Sequence, residues 1–317
     1  MALLSVKDLA IHYPVSKSGF FEEQKVVRAV DGVSFELDQG KVLGVVGESG
    51  CGKSTVAKGI MGLVDVSAGE ITLMGRNLCS LSGKELRAFR QHFQMVFQDP
   101  EASLNPRLTC GEIIGEPLRV YHPELSSKER LEKVQKTMLM VGLSPSLMRR
   151  FPHEFSGGQK QRISIARSIS ISPSLLICDE SVSALDASVQ AQILALLLEL
   201  QSQLSLTYLF ISHDLAVVRY ISDEILVMYL GKVVEKGTAD QIMDEPVHPY
   251  TVALINAAPE YGRKDSPPGL TGEIPSPLNP PPGCAFSTRC PLADERCRRE
   301  APTLRPSHDR VVACHLV

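Results

Sequence analysis

Gly47-Glu48-Ser49-Gly50-Cys51-Gly52-Lys53-Ser54 is the stretch from which the rest of this chain is read. It follows an apolar, β-rich run over 42–47 and precedes helical spacing over 53–63. A strand, a glycine loop and a helix in that order gather backbone N–H groups and a helix N-terminus around one point, which suits a phosphate. In this P-loop pattern Lys53 is placed to reach β- and γ-phosphates and the Ser54 hydroxyl to ligate Mg²⁺, with Gly47, Ser49, Gly50, Cys51, Gly52 and Thr55 forming the cradle. A mere tight turn has no need of Lys-Ser after its last glycine. Cys51 reads as a small filler; its position predicts that alkylation blocks nucleotide entry and that ATP protects it.

Outward from the loop, strand-length apolar runs alternate with helical patterns, the signature of an α/β core with a mostly parallel sheet. Candidate strands lie at 42–47, 93–98, 175–179 and 207–212. Val189, Ile193, Leu196, Leu197 and Leu200 fall at helical spacing between the last two, a pattern of core packing. Before the loop, 3–11 and 33–37 alternate apolar and polar residues and read as an antiparallel β subdomain, separated by a polar insertion at 14–25. Segment 109–147 carries three helical patterns and no strand, which predicts an inserted helical subdomain.

With 317 residues, 44% of them hydrophobic and 22% charged, the chain can bury a sizeable core. A net charge of -3 argues against nucleic acid as a partner. No apolar stretch reaches membrane-spanning length, and the N-terminus lacks the basic and apolar blocks of a leader. A cytoplasmic protein that docks on a membrane protein is the expectation.

Further chemistry lies downstream. Leu175-Leu176-Ile177-Cys178 runs into Asp179-Glu180. Asp179 is expected to hold the Mg²⁺ shell and Glu180, pointing the other way along an extended chain, to polarise a water attacking the γ-phosphate. Phe155-Ser156-Gly157-Gly158-Gln159 is a glycine turn before a helix. Taken with the P-loop, these elements resemble the ATP-binding subunit of an ABC transporter over residues 3 to about 255. The resemblance implies that Tyr13 stacks on adenine and that Gln98 touches Mg²⁺ and the attacking water. It also implies that Ser156, Gly157, Gly158 and Gln159 meet the γ-phosphate of an opposite subunit's ATP. Asp186 would lie at the dimer interface and His213 would bond the γ-phosphate. Where the family usually has Asp-Glu-Pro-Thr, this chain has Asp179-Glu180-Ser181-Val182; hydrolysis is expected to be retained because the base is present.

The tail differs in composition: 11 of the 21 prolines and four of the eight cysteines fall within 259–317. So proline-rich a segment has little apolar surface with which to fold, and a bound metal would supply what its core lacks. Cys284-x5-Cys290-x6-Cys297-x16-Cys314 has no Cys-x-x-Cys pair, leaving zinc or an iron–sulfur cluster open, with His308 and His315 as substitutes. His248-Pro249-Tyr250-Thr251 and the run from Gly272 to Cys284 resemble the C-terminal extension of dipeptide, oligopeptide and nickel importers. Ser103-Leu104-Asn105-Pro106-Arg107 resembles the second of their two ATPase subunits. That likeness implies a 4Fe-4S cluster on the four cysteines, with Zn²⁺ as the alternative. It divides the chain into an ATPase domain at 1–258, its helical subdomain at about 109–170, and a Cys-rich extension at 259–317. It also implies peptide import at the cytoplasmic face of the inner membrane, with a second non-identical ATPase, two permeases and an extracytoplasmic peptide-binding protein. Nickel or another small solute, or a soluble non-transport ATPase, are the rival readings.

Overall fold

The computed structural model describes residues 2–15, 25–258, 272–307 and 309–317. Most of the polar insertion, the proline-containing stretch 259–271 and His308 therefore lie outside the described residues. The chain forms two compact units: Met1–Asp38, Val42–Ser80 and Ser212–Val317 make the first, Gln39–Lys41 and Leu81–Ile211 the second.

In the first unit an antiparallel sheet runs in the order Val26–Asp38, Ala2–Pro14, Ala68–Leu73, Arg76–Asn77. Leu4, Val6, Leu9 and Ile11 are buried on its inner face with Val30, Val33, Phe35 and Leu37. The two long strands outrun the alternation of their sequence, because Tyr13 opposite Val27 and Pro14 opposite Val26 extend the backbone pairing beyond the buried part. A second sheet segment runs Arg305–Ser307, Arg310–Val312, Lys232–Thr238, Glu224–Tyr229, Val42–Val46. Val42–Val46 is buried throughout and parallel to Glu224–Tyr229, as a strand covered on both faces should be. Glu224–Tyr229 and Lys232–Thr238 form a hairpin through Leu230 and Gly231, both at positive φ, the two-residue turn that matches strand twist.

The tail is the main departure from expectation. Its Arg310–Val312 strand pairs antiparallel with Lys232–Thr238, and Phe286, 2% exposed, enters a cluster with Tyr229, Tyr250 and His248. The expected metal-binding extension is not supported. Among the described residues no group of three or more His, Cys, Asp or Glu side chains is placed to hold a metal ion. Cys284, Cys290, Cys297 and Cys314 are free thiols. Burial pushes the Cys284 thiol up to about 11 and raises Cys290 and Cys297. Packing into the sheet and the aromatic cluster supplies the stabilisation that the sequence reading assigned to a metal.

The second unit contains the parallel strands Phe93–Val96, Leu175–Asp179 and Thr207–Ile211 in adjacent pairs, with helices Cys110–Tyr121, Ser127–Met140, Gly157–Ile169 and Ala187–Leu204. Thr109 with Glu112, and Ser126 with Glu129, form reciprocal capping boxes that start the first two. Among the described residues no helix is long and apolar enough to cross a membrane.

Candidate functional site

The phosphate loop leaves the buried strand at Val46 and enters the helix Lys53–Ile60. Gly52 is the helix N-cap at φ +106, where a Cβ would stand 2.3 Å from the Ala29 carbonyl oxygen. Any larger residue there would meet both backbone strain and a backbone clash. Ser49 and Gly50 form the exposed crest, while Gly47, Cys51 and Lys53 are buried and Ser54 and Thr55 half-buried. Lys53 is only 5% exposed. Its ammonium donates to the Gly47 and Glu48 carbonyl oxygens at 2.7 and 3.0 Å and lies 3.7 Å from Cys51 Sγ. The cation is thus held against the loop by two carbonyls, a stronger acceptor such as a phosphate oxygen being able to compete for it. Burial raises the Cys51 thiol, and its 4% exposure makes it less open to alkylation than its sequence position implies. The helix ends at Ile60, short of the predicted 63, because Leu63 N–H closes onto the Lys58 carbonyl across Gly62 at φ +61.

His213 belongs to the same unit and is exposed. Its neighbour Ser212 donates its N–H to the Val45 carbonyl, and Asp214 caps the helix Leu215–Ile221. That helix packs close to the loop strand, since a Cβ on Gly44 would meet Val218 Cγ1 at 2.4 Å. His213 is thereby anchored from both sides to the strand that carries the phosphate loop. Tyr13, 39% exposed, lies near the end of the first strand.

In the second unit, Asp179 ends its strand 5% exposed. Glu180 does not continue the extended chain: it adopts φ +46, while its N–H donates to the Ile211 carbonyl. A left-handed non-glycine residue is a strained position, and it turns Glu180 by a different route from the strand alternation expected. The Glu180 carboxylate accepts a hydrogen bond of 2.7 Å from Gln98 Nε2. Two residues singled out separately in the sequence are therefore in contact.

Ser156 caps the helix Gly157–Ile169, and the Gln159 side chain returns to the Ser156 N–H. The Ser156 and Gln159 side chains are engaged in the cap, leaving the first-turn N–H groups and the helix dipole as the anion-attracting feature. A Cβ on Gly158 would stand 2.5 Å from Val189 Cγ1, so this glycine allows the helix Ala187–Leu204 to approach. Asp186 precedes that helix, exposed and without a capping bond of its side chain. Ser54 in the first unit, and Gln98 and Asp179 in the second, each carry an oxygen donor of the kind a hard cation takes.

Sequence reasoning did not single out Glu48, Tyr250 or Arg289. Arg289 forms a two-pronged pair with Glu48, Nη1 to Oε2 at 2.7 Å and Nη2 to Oε1 at 3.1 Å. The Glu48 N–H donates to the Tyr250 hydroxyl at 2.9 Å. Hydrogen bonding to Glu48 raises the guanidinium pKa further.

Residues 30–183 match the family model described as ABC transporter, and residues 234–297 the one described as Oligopeptide/dipeptide transporter, C-terminal region. The chain is 52% identical to the oligopeptide transport ATP-binding protein OppF of Escherichia coli K12, over 98% of this chain and 95% of that one. To the dipeptide transport ATP-binding protein DppF of the same organism it is 49% identical, over 99% of this chain and 94% of that one. A solved dimeric ATP-binding cassette in a post-hydrolysis state, bound to ADP and Pi, superposes with a TM-score of 0.66 at 27% identity, over 74% of this chain and 98% of that one. The chain belongs to the ABC transporter ATP-binding proteins, in the group that includes OppF and DppF.

Proposed function

We propose that this chain is the ATP-hydrolysing subunit of a peptide importer, peripheral to the cytoplasmic face of the inner membrane. It would dock on two membrane permeases and pair with a second, non-identical ATP-binding subunit, with an extracytoplasmic peptide-binding protein delivering cargo. Support for the cargo comes from the peptide transport for which OppF and DppF are named and from the match of 234–297 to the C-terminal region of such transporters.

The observation that carries hydrolysis is the Gln98–Glu180 hydrogen bond. In this reading Lys53 and the loop N–H groups bind the β- and γ-phosphates, Tyr13 stacks on adenine, and His213 donates to the γ-phosphate. Ser54, Gln98 and Asp179 would hold Mg²⁺, which when bound neutralises charge on the phosphate oxygens. Glu180 accepts the proton side of the attacking water, and the Gln98 amide holds the carboxylate in place for it. The N-terminus of helix Gly157–Ile169 serves a partner subunit's nucleotide, with Asp186 at the shared interface. The chain thus owns half of each of two sites.

Replacing Glu180 by Gln tests this in the assembled transporter. ATP binding is expected to persist and turnover to fall by about 10²-fold or more, as expected on losing a general base. Turnover at the wild-type rate would reject Glu180 as the base.

A further inference from the structure

The tail meets the phosphate loop at one charged contact, and that contact is built from both sides. On the loop side, Glu48 is fixed at three points: its N–H by the Tyr250 hydroxyl, its carboxylate by Arg289, and its carbonyl by Cys51 N–H and the Lys53 ammonium. On the tail side, Ser287 N–H bonds the Cys284 carbonyl, and the Arg289 and Cys290 N–H groups both bond the Phe286 carbonyl. These turns are locked by Phe286 packing at 5.3 Å from Tyr229 and 5.4 Å from Tyr250. The Arg289 guanidinium also lies 5.8 Å over the Tyr229 ring. The side chain of Arg289 is 4% exposed and that of Glu48 is 21% exposed. An exposed ion pair contributes little, but a sheltered, two-pronged one fixes geometry and neutralises charge.

We propose that Arg289 is a positioning residue for the phosphate loop: it holds Glu48, and it cancels a carboxylate that would otherwise repel nucleotide phosphates. Glu48 shares its carbonyl with Lys53, so movement of Glu48 moves the ammonium as well. The nucleotide affinity of the chain then depends on a tail side chain 241 positions away in sequence. This rests on the nucleotide-binding reading above and adds the tail as its determinant.

The test is calorimetric titration of the full chain with MgATP, with the thermal midpoint of the nucleotide-free protein measured alongside. For Arg289→Met, Kd is expected to rise about 10-fold, the size of a typical coupling between contacting groups. Glu48→Gln also weakens the hold, but it leaves no unpaired carboxylate beside the phosphates, so its Kd should rise by only about threefold. In the double variant Kd should return to within about threefold of that for Glu48→Gln. If Arg289 acted independently of Glu48, the losses would multiply and Glu48→Gln would give no rescue. Should Arg289→Met fail to fold, Arg289→Lys, which keeps the charge and loses the fork, is expected to weaken binding about threefold, again with rescue by Glu48→Gln. An unchanged Kd in Arg289→Met, or losses that simply multiply in the double variant, would overturn the proposal. The nucleotide reading fails separately: in that case wild type does not bind MgATP, or binds it no better than Lys53→Ala does.

Discussion

Acid should loosen this protein through one buried histidine. His248 is 1% exposed and caps the helix Pro249–Ala257, its Nδ1 accepting the Tyr250 N–H at 3.0 Å. The other ring nitrogen faces the Ala313 carbonyl of the tail. Burial lowers its pKa from 6.5 to about 4, against a smaller opposing effect of the Ala313 carbonyl. Protonation would place a hydrogen on the nitrogen that now accepts one. Because the folded value lies below the unfolded value, the unfolded chain takes up a proton first as pH falls. Stability is therefore intact above about 6.5 and is lost as pH falls toward about 4. At about 1.4 kcal/mol per pH unit the full loss is about 3 kcal/mol, of which about 2 kcal/mol has gone by a pH of about 5. His248→Asn keeps an oxygen that can cap Tyr250 but cannot titrate. Near neutral pH it should be less stable by about 1–3 kcal/mol, for the lost ring packing and the lost bond to Ala313. Urea unfolding of both proteins at a pH of about 7.5 and of about 5 measures the gap between them, which should shrink by about 2 kcal/mol in acid. Every other titrating group is common to the two chains. A gap that stays constant with pH would refute the reasoning.

Gly158→Ala forces a methyl into Val189, and overpacking of this kind costs about 1–3 kcal/mol; Val189→Ala in the same chain should recover most of it, as read by urea midpoints, and no recovery would mean that the close approach is not the cause. Buried Cys51, with its raised thiol, should react with N-ethylmaleimide at least ~10-fold more slowly than exposed Cys79, followed by peptide mass mapping. Equal rates would mean that the loop opens readily without nucleotide.

What the sequence made legible is what local chemistry encodes. Glycines followed by Lys53-Ser54 after a buried run have few other uses, and Ser156 three positions before Gln159 announces a capping box before any fold is known. Parallel strands such as Leu175–Asp179 show as unbroken apolar runs because both faces are covered. The hairpin Glu224–Thr238 carries no such signal, its turn being Leu230-Gly231 and not an Asn-Gly or Asp-Gly pair. Glu180 was harder still: four apolar residues promise continued extension, and only its backbone, at φ +46, takes the chain off that path. The Arg289–Glu48 pair had no local signal, because a lone arginine beside a cysteine gives no hint of a partner 241 positions away.

The cysteine-rich tail shows how crowding in sequence can mislead about cause. Four cysteines in a proline-rich segment suggested a tail that needs a metal because it lacks a core. The described tail instead borrows the core of the first unit. Besides Phe286, Arg310 is buried against the fully buried Glu235 carboxylate, which also accepts the Val247 and His248 N–H groups. Ala313 donates its N–H to the Val234 carbonyl. A buried arginine and a buried carboxylate are each costly to leave alone, so separating them penalises any state in which the tail is detached. The same hairpin and helix that receive the tail carry Tyr229, His248 and Tyr250, and Tyr250 in turn bonds Glu48 in the phosphate loop. Tail attachment and loop geometry consequently share residues. Acid acting at His248 should weaken MgATP binding before the chain unfolds, by loosening the helix start that presents Tyr250.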